Sequence, residues 1–226
     1  MNSVGSTMAV LQFGDSFFPS GSVAFSWGLE ALAENGTVTS AGDVQAFVIG
    51  QLHARWANFD RAIVVAAHRA SADLKAVADV DDHVEILTSS AELRSGSRRM
   101  GDAMLSIFGR LGIDGVPAYR DMIKSGSACG HVAAMQGFLW ARVGLSEMHA
   151  VALSAHTFCI GLLGAGIRLG CLTHIDAQRA LIEARREVSN IAETSTPPLH
   201  EISAFGVEAE IAVMRHAQHH TRMFAN

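Results

Sequence analysis

Apolar residues recur at steps of three and four along most of the chain, the spacing of one face of an α-helix. The first such stretch follows Ser40 to Asp43, a capping-box sequence with Asp in place of the usual Glu or Gln, and continues to Ile63. A second stretch begins near Asp82 and runs through Phe108, and its polar face is rich in arginine. The pattern predicts one long amphipathic helix in each stretch.

Three further helical stretches follow in the second half of the chain. Residues 128–143 are rich in Ala and Gly, and Ser146 can then cap an uncharged stretch at 148–167. An amphipathic stretch covers 176–191, before Thr196 and two prolines end it. The composition of the first two stretches predicts two closely packed, buried central helices.

Signals for β-structure are poor throughout the sequence. Period-two alternation is nearly absent, and the turn pairs Asn35-Gly36 and Asp114-Gly115 lie between helical patterns. No Pro/Gly/Ser-rich linker or charge run divides the 226 residues. We therefore predict an all-α fold, a single-domain multi-helix bundle over 1–226 with buried Ala/Gly-rich central helices. A C-terminal tail from about 195 to 226 is expected to depend on a partner for its structure.

Composition and charge narrow the classes of partner. The chain is 49% hydrophobic and 17% charged, enough to bury a sizeable core. A net charge of -5 without a dense Lys/Arg stripe argues against nucleic acid and favours a protein partner or small ligand. The stretch 148–167 has transmembrane length, but it carries His149, His156 and three glycines. We interpret it as a buried helix of a soluble protein rather than a membrane span.

The cysteines and the first ten residues indicate the cellular compartment. Cys129, Cys159 and Cys171 are odd in number, lack CxxC spacing and lie in apolar contexts, which is typical of reduced core thiols. The first ten residues show no basic region before an apolar block, so no secretory signal is expected. A reducing cytoplasm suits both observations.

Common catalytic signatures are absent from the sequence. It has no Walker A sequence, no HExxH, no GxSxG and no zinc-like Cys/His pairing. Gly164, Gly166 and Gly170 approach a nucleotide fingerprint, but the last spacing is wrong and no strand precedes them. Close helix packing is the better explanation of these glycines, and we predict that the protein is not an enzyme.

Two groups of polar residues are candidates for binding. His216, His219 and His220 are spaced to share one helix face and could bind a soft divalent metal such as nickel, although a solvated or partner-facing helix end is favoured. Arg94 and Arg98, one turn apart, could clamp a carboxylate or phosphate through forked donors. For the arginines, too, a solvated face is the simpler interpretation.

Glu30 and the tryptophans are interpreted as structural. Glu30 could neutralise a neighbouring helix N-terminus or pair with an arginine, and as a lone carboxylate it forms no acid/base pair. Trp27, Trp56 and Trp140 are expected to anchor the core or an interface, because no basic groove accompanies them.

Four segments, in order, resemble the urease accessory protein F family (UreF). The first spans 11–30 and is similar to the family's opening motif, L-x-x-D-S-x-x-P-x-G-[SG]-F-x-[YH]-S-x-G-L-E. Glu92 to Gly101 resembles the central E-x-R-x-x-S-x-x-M-G helix, and HVAAMQG at 131–137 resembles a later segment. The ending, from Ile211 to Phe224, is similar to the family's I-A-x-M-R-H-E and R-L-F elements. Leu11 lies one position upstream of the motif's leucine, and Val23 and Phe25 replace its usual aromatic residues with other apolar side chains. The remaining positions are matched by Asp15, Ser16, Pro19, Gly21, Ser22, Ser26, Gly28, Leu29 and Glu30.

The chain departs from the family pattern in two further places, both in its second half. Where the family reads R-L-x-P-L-G-Q-x-x-x-Q, residues 168–178 lack the Pro and the Gly-Gln pair. The final Ala225-Asn226 replaces the common Arg-Ser. Matching residue types are kept at Arg168, Gln178, Arg215, Arg222 and Phe224.

The resemblance implies a nonenzymatic chaperone of urease maturation. Members bind the accessory scaffold UreD (also called UreH) and the GTPase UreG, and the complex delivers nickel to apo-urease. Nickel would be handled by the complex, with no tightly bound cofactor, and a homodimer is expected. The alternative is a nickel-binding carrier that uses a His-rich tail. The candidate partner-binding residues are Glu30, Arg94, Arg98, Arg168, Gln178, Arg215, His216, Arg222 and Phe224.

Overall fold

A computed structural model describes residues 3–19, 25–204, 211–214 and 223–224. Within these ranges the chain forms α-helices joined by turns and contains no β-strand, which confirms the all-α prediction. A π-helical segment, Leu52–Asp60, connects α3 to α4, and a 3-10 turn covers Leu199–Glu201. The helices are α1 (Ser3–Gly14), α2 (Leu29–Glu34), α3 (Ala41–Gln51), α4 (Arg61–Arg69), α5 (Leu74–Leu87), α6 (Ala91–Arg110), α7 (Val116–Lys124), α8 (Val132–Arg142), α9 (Glu147–Arg168) and α10 (His174–Ala192).

The helix predicted from Asp82 to Phe108 is wrong, because two helices share that stretch. α5 ends at Leu87, and α6 begins after Ser90, whose hydroxyl accepts a hydrogen bond from Leu93 N. Arg94 donates to the carbonyl oxygens of Thr88 and Ser89 between the helices. The Ser90 cap and the Arg94 hydrogen bonds therefore stabilise a gap between two helices, although the apolar spacing of the sequence continues across it.

The first predicted helix is confirmed as continuous, but its geometry changes within it. Ser40 and Asp43 form the expected capping box, with Asp43 Oδ2 accepting from Ser40 N at 2.9 Å. In the π-helical segment, Arg55 Nε donates to Asp60 Oδ2 at 3.1 Å, and both side chains are buried. The two residues are five positions apart, which is also the hydrogen-bond spacing of a π-helix.

The core consists of two hydrophobic clusters, and helix α9 contributes to both. The first packs α4 against α8, with α5 and α6 beside them, and the second joins α3, α9 and α10. Gly137 of α8 faces α4 so closely that an added Cβ would lie 2.9 Å from both Ala67 Cβ and His68 N. As predicted, α8 and α9 lie at the centre of the bundle.

Helix α9 is long and apolar enough to cross a membrane by length and composition. In the structure, half of its most apolar 18-residue window is buried inside the protein. The helix packs against α1, α4, α8 and α10. This placement supports the interpretation of α9 as a core helix.

Candidate functional site

Glu30 holds the C-terminal segment of the chain through its carboxylate. The side chain lies in the first turn of α2, and the residue is only 3% exposed. Its Oε1 accepts a hydrogen bond from Met223 N at 2.7 Å, and its Oε2 accepts one from Phe224 N at 3.2 Å. The structural role expected for Glu30 thus takes the form of a bond to backbone amides far along the chain.

Phe224 and Arg168 complete this contact. The Phe224 ring is buried in the cluster formed by α3, α9 and α10. Arg168, at the end of α9, places its guanidinium carbon 4.3 Å from the centre of that ring, a cation–π arrangement. We call Glu30, Arg168, Met223 and Phe224 the tail anchor. Three of the nine candidate residues, Glu30, Arg168 and Phe224, therefore meet in one place.

Replacing the Glu30 carboxylate should loosen the tail without unfolding the bundle. In Glu30→Gln one acceptor oxygen becomes an NH2 group that faces a backbone amide. Hydrogen bonds to charged groups contribute about 1.5–3 kcal/mol each, so exchange of the Met223 and Phe224 amides should accelerate roughly tenfold or more. Hydrogen exchange read out by NMR or mass spectrometry measures this directly.

Glu34→Gln is the matched control, because Glu34 lies on the same short helix and is exposed. It should leave the exchange of both tail amides unchanged. Equal exchange rates in Glu30→Gln and the unmodified protein would show that the carboxylate does not hold the tail.

Arg94 and Arg98 form a second group with Glu85 of α5. Arg98 Nε donates to Glu85 Oε2 at 3.0 Å, and Arg94 Nε lies 3.4 Å from Glu85 Oε1. The arginines thus clamp a carboxylate, as their spacing allows, but it belongs to the same chain. Partial burial raises the pKa of Glu85, and hydrogen bonds from Arg98 and His131 outweigh it, so the pKa is held below its usual value.

Asp81, one turn before Glu85, fixes the loop that leads into α8. It is fully buried, and its Oδ2 accepts hydrogen bonds from Tyr119 Oη at 2.9 Å, Cys129 N at 2.9 Å and Gly130 N at 2.6 Å. Its Oδ1 accepts from His131 N at 2.8 Å. This loop occupies part of the stretch predicted to be helical from 128, so α8 begins only at Val132.

His131 lies beneath Glu85 and is fully buried. Its Nε2 is 2.8 Å from Glu85 Oε2. Burial lowers the pKa of His131, so the imidazole is neutral, and Nε2 must carry the proton because the ionised carboxylate can only accept. Nδ1 has no hydrogen-bond partner within the described part of the protein. The result is a neutral imidazole whose one donated hydrogen bond goes to Glu85.

Of this second group, the sequence pattern indicated only Arg94 and Arg98 as candidates. Asp81 carries a detectable signal, because it lies on the apolar face of α5 between Val77 and Val84, where a charged residue must find buried partners. His131 stands in the quoted HVAAMQG segment, but nothing local marks it as buried. Its partner Glu85 lies 46 residues away.

The remaining candidates are placed elsewhere. Gln178 of α10 lines a cavity of about 360 Å³ between α9 and α10, together with His156, Cys159 and Ile182. The tail anchor packs on the cluster of α3, α9 and α10, whereas α5 packs on the other cluster. Arg215, His216, His219, His220 and Arg222 lie outside the residues that the structure describes.

Other expectations are confirmed only in part. Trp56 and Trp140 are fully buried anchors, and Trp27 is half-buried. Of the cysteines only Cys159 is a core thiol, since Cys129 and Cys171 are partly exposed.

Among the α9 glycines, Gly166 packs closely, with an added Cβ 3.0 Å from Val44 Cγ1. Gly164 has no such neighbour within 4 Å, so close packing does not explain it.

The sequence was compared with known families and proteins. The UreF family model matches residues 38–185. The urease accessory protein UreF of Trichodesmium erythraeum (strain IMS101) is 29% identical over 228 residues, covering 99% of this chain and 98% of that protein. Proteins of the same name from Yersinia pseudotuberculosis and Yersinia enterocolitica are 26% identical over 226 residues, with 96% of each chain covered. The family model matches more than half of the chain and the relatives cover nearly all of it, and the chain belongs to the UreF family of urease accessory proteins.

Proposed function

We propose that this protein is a nonenzymatic adaptor of urease maturation. It binds the accessory scaffold UreD or UreH, recruits the GTPase UreG, and the assembled complex inserts nickel into apo-urease under control of GTP hydrolysis. Nickel is cargo of the complex in this proposal. The protein acts in the cytoplasm, and a homodimer is its working form.

The observation that carries the proposal is the full-length likeness to proteins named for urease accessory function. The tail anchor adds a structural reason for adaptor activity. The Glu30 carboxylate and the pocket that receives the Phe224 ring hold residues 223–224 against a large core, so the position of the tail is tied to α2 and α9. A partner that contacts the tail would therefore also respond to the positions of α2 and α9.

The proposal predicts rescue of urease in a cell that contains urease and every other accessory protein but lacks its own UreF. Expression of this chain should restore urease activity together with urease-bound nickel, measured by ammonia release and by metal analysis of purified urease. Vector alone is the control for background activation. Soluble protein that fails to restore either quantity, even when its own UreD and UreG are supplied, would contradict the proposal.

A further inference from the structure

We propose that Glu85, Cys129 and His131 form a binding site for a divalent metal ion of the zinc, cobalt and nickel class. The inference concerns the isolated chain, goes beyond the proposed function and does not depend on it. Its ligands are different residues from the tail histidines considered above.

The three residues offer the right ligand atoms at close range. A carboxylate oxygen, a thiol sulfur and an imidazole nitrogen lie within 4.8 Å of one another. Metal–ligand bonds of about 2.0–2.3 Å in a tetrahedron require ligand atoms roughly 3.3–3.8 Å apart, so movements of about 1 Å would close the set. Thiolate with imidazole selects borderline metals such as zinc, whereas Mg²⁺ and Ca²⁺ prefer sites made only of oxygen.

The backbone that carries two of the ligands is already fixed. Asp81 accepts hydrogen bonds from the backbone amides of residues 129, 130 and 131. On the other side, Gly101 of α6 packs against the Gly130 carbonyl so closely that an added Cβ would overlap it. Cys129 and His131 are therefore held at a set spacing, and the buried Asp81 carboxylate lies beside them as a further negative charge.

The site is accessible from solvent. Glu85, Cys129 and Gly130 line an open groove of about 810 Å³ between α6 and the loop. Cys129 and Glu85 are partly exposed, whereas His131 is fully buried behind the groove, where its Nε2 contacts Glu85. An ion can enter by this groove, and a water molecule or an outside ligand can complete the fourth position of a tetrahedral ion.

The protons on Cys129 and His131 and the positive charge of the arginines beside Glu85 determine how tightly the ion would bind. Burial raises the pKa of the Cys129 thiol, so binding must displace one proton from sulfur. The imidazole proton moves from Nε2 to Nδ1, which leaves Nε2 free to bind the metal. At Nδ1 the proton faces no acceptor in the described part of the protein, and this cost weakens binding. Arg98 competes for Glu85, but its side chain is 45% exposed and can turn into the groove. These features predict an exchangeable ion rather than a permanently held structural one.

Cobalt(II) titration of the reduced full-length protein tests the proposal. One equivalent of Co²⁺ should produce the near-ultraviolet absorption of a sulfur-to-cobalt charge transfer, and Zn²⁺ should remove it. The tail histidines cannot produce that absorption because they contain no sulfur. Cys129→Ser should abolish the band, whereas Cys171→Ser, the matched change at the other partly exposed cysteine, should leave it intact.

Arg98→Gln provides a second test that misfolding cannot imitate. It removes one of the two arginines that compete for Glu85, and with it a positive charge near the ion, so Co²⁺ should bind about tenfold more tightly. Unchanged or weaker binding in this variant, a band that survives Cys129→Ser, or no band at millimolar Co²⁺ would each overturn the proposal.

Discussion

Asp81→Asn is expected to lower the free energy of unfolding by about 3 kcal/mol, since each buried donor left without an acceptor costs about 1–3 kcal/mol. The carboxylate accepts four hydrogen bonds and donates none. An amide of the same shape keeps one acceptor oxygen and turns an NH2 group toward backbone amides in either orientation. Urea unfolding followed by circular dichroism measures the change through the midpoint, provided that the slope stays constant.

Asp82→Asn is the control for that experiment. Asp82 is the next residue on α5 and is exposed, so the same change should alter the free energy of unfolding by no more than about 0.5 kcal/mol. Equal midpoints for the two variants would mean that the Asp81 carboxylate is not what stabilises the loop at 129–131.

Gly137→Ala should destabilise the protein by a similar amount. The added methyl group would overlap the Val64 carbonyl and press on Ala67 Cβ, where α8 and α4 are in close contact. Overpacking of this kind costs about 1–3 kcal/mol, and more when backbone rather than a side chain must move. For a chain of this size, 3 kcal/mol corresponds to a fall in the melting temperature of about 6–12 °C, which a thermal scan resolves.

Gly164→Ala makes the same chemical change within α9 and should have the opposite sign. Apart from the backbone of α9 itself, no atom of the described residues lies within 4 Å of its added Cβ, so the gain in helix propensity should raise stability by about 0.5–1 kcal/mol. If both alanines shifted the melting temperature in the same direction, helix propensity rather than the α4–α8 contact would account for the result.

Local pattern was sufficient for the all-α class, for the course of α3, α9 and α10, and for the caps at Ser40 and Ser146. The pattern failed between α5 and α6, because the helical spacing of apolar residues continues across residues 88–90. Ser90 caps the start of α6, and Arg94 donates to the Thr88 carbonyl oxygen at the end of α5. The pattern also missed α1 and α7, whose apolar residues were not recognised as helical faces.

The candidate sites were predictable to a different degree. Glu30, Arg168 and Phe224 were named through the family resemblance, yet their meeting depends on bonds that join positions 193 and 194 residues apart. The bonds of Asp81 to the loop span 48 to 50 residues. Spacing along the sequence carries no information about contacts of that length, so only the fold could show which of these polar residues are partners.

The tail anchor also has a consequence for the order of events during synthesis. At about 5–20 residues per second, a ribosome adds Phe224 roughly 10–40 s after Glu30. Throughout that interval the Glu30 carboxylate has no tail amide to accept from, and once α9 and α10 have been added the pocket for the Phe224 ring beside Arg168 stays unfilled. Ribosome-bound chains that stop short of residue 223 would expose this surface to chaperones and proteases. The tail anchor can form only in chains whose translation has passed residue 224.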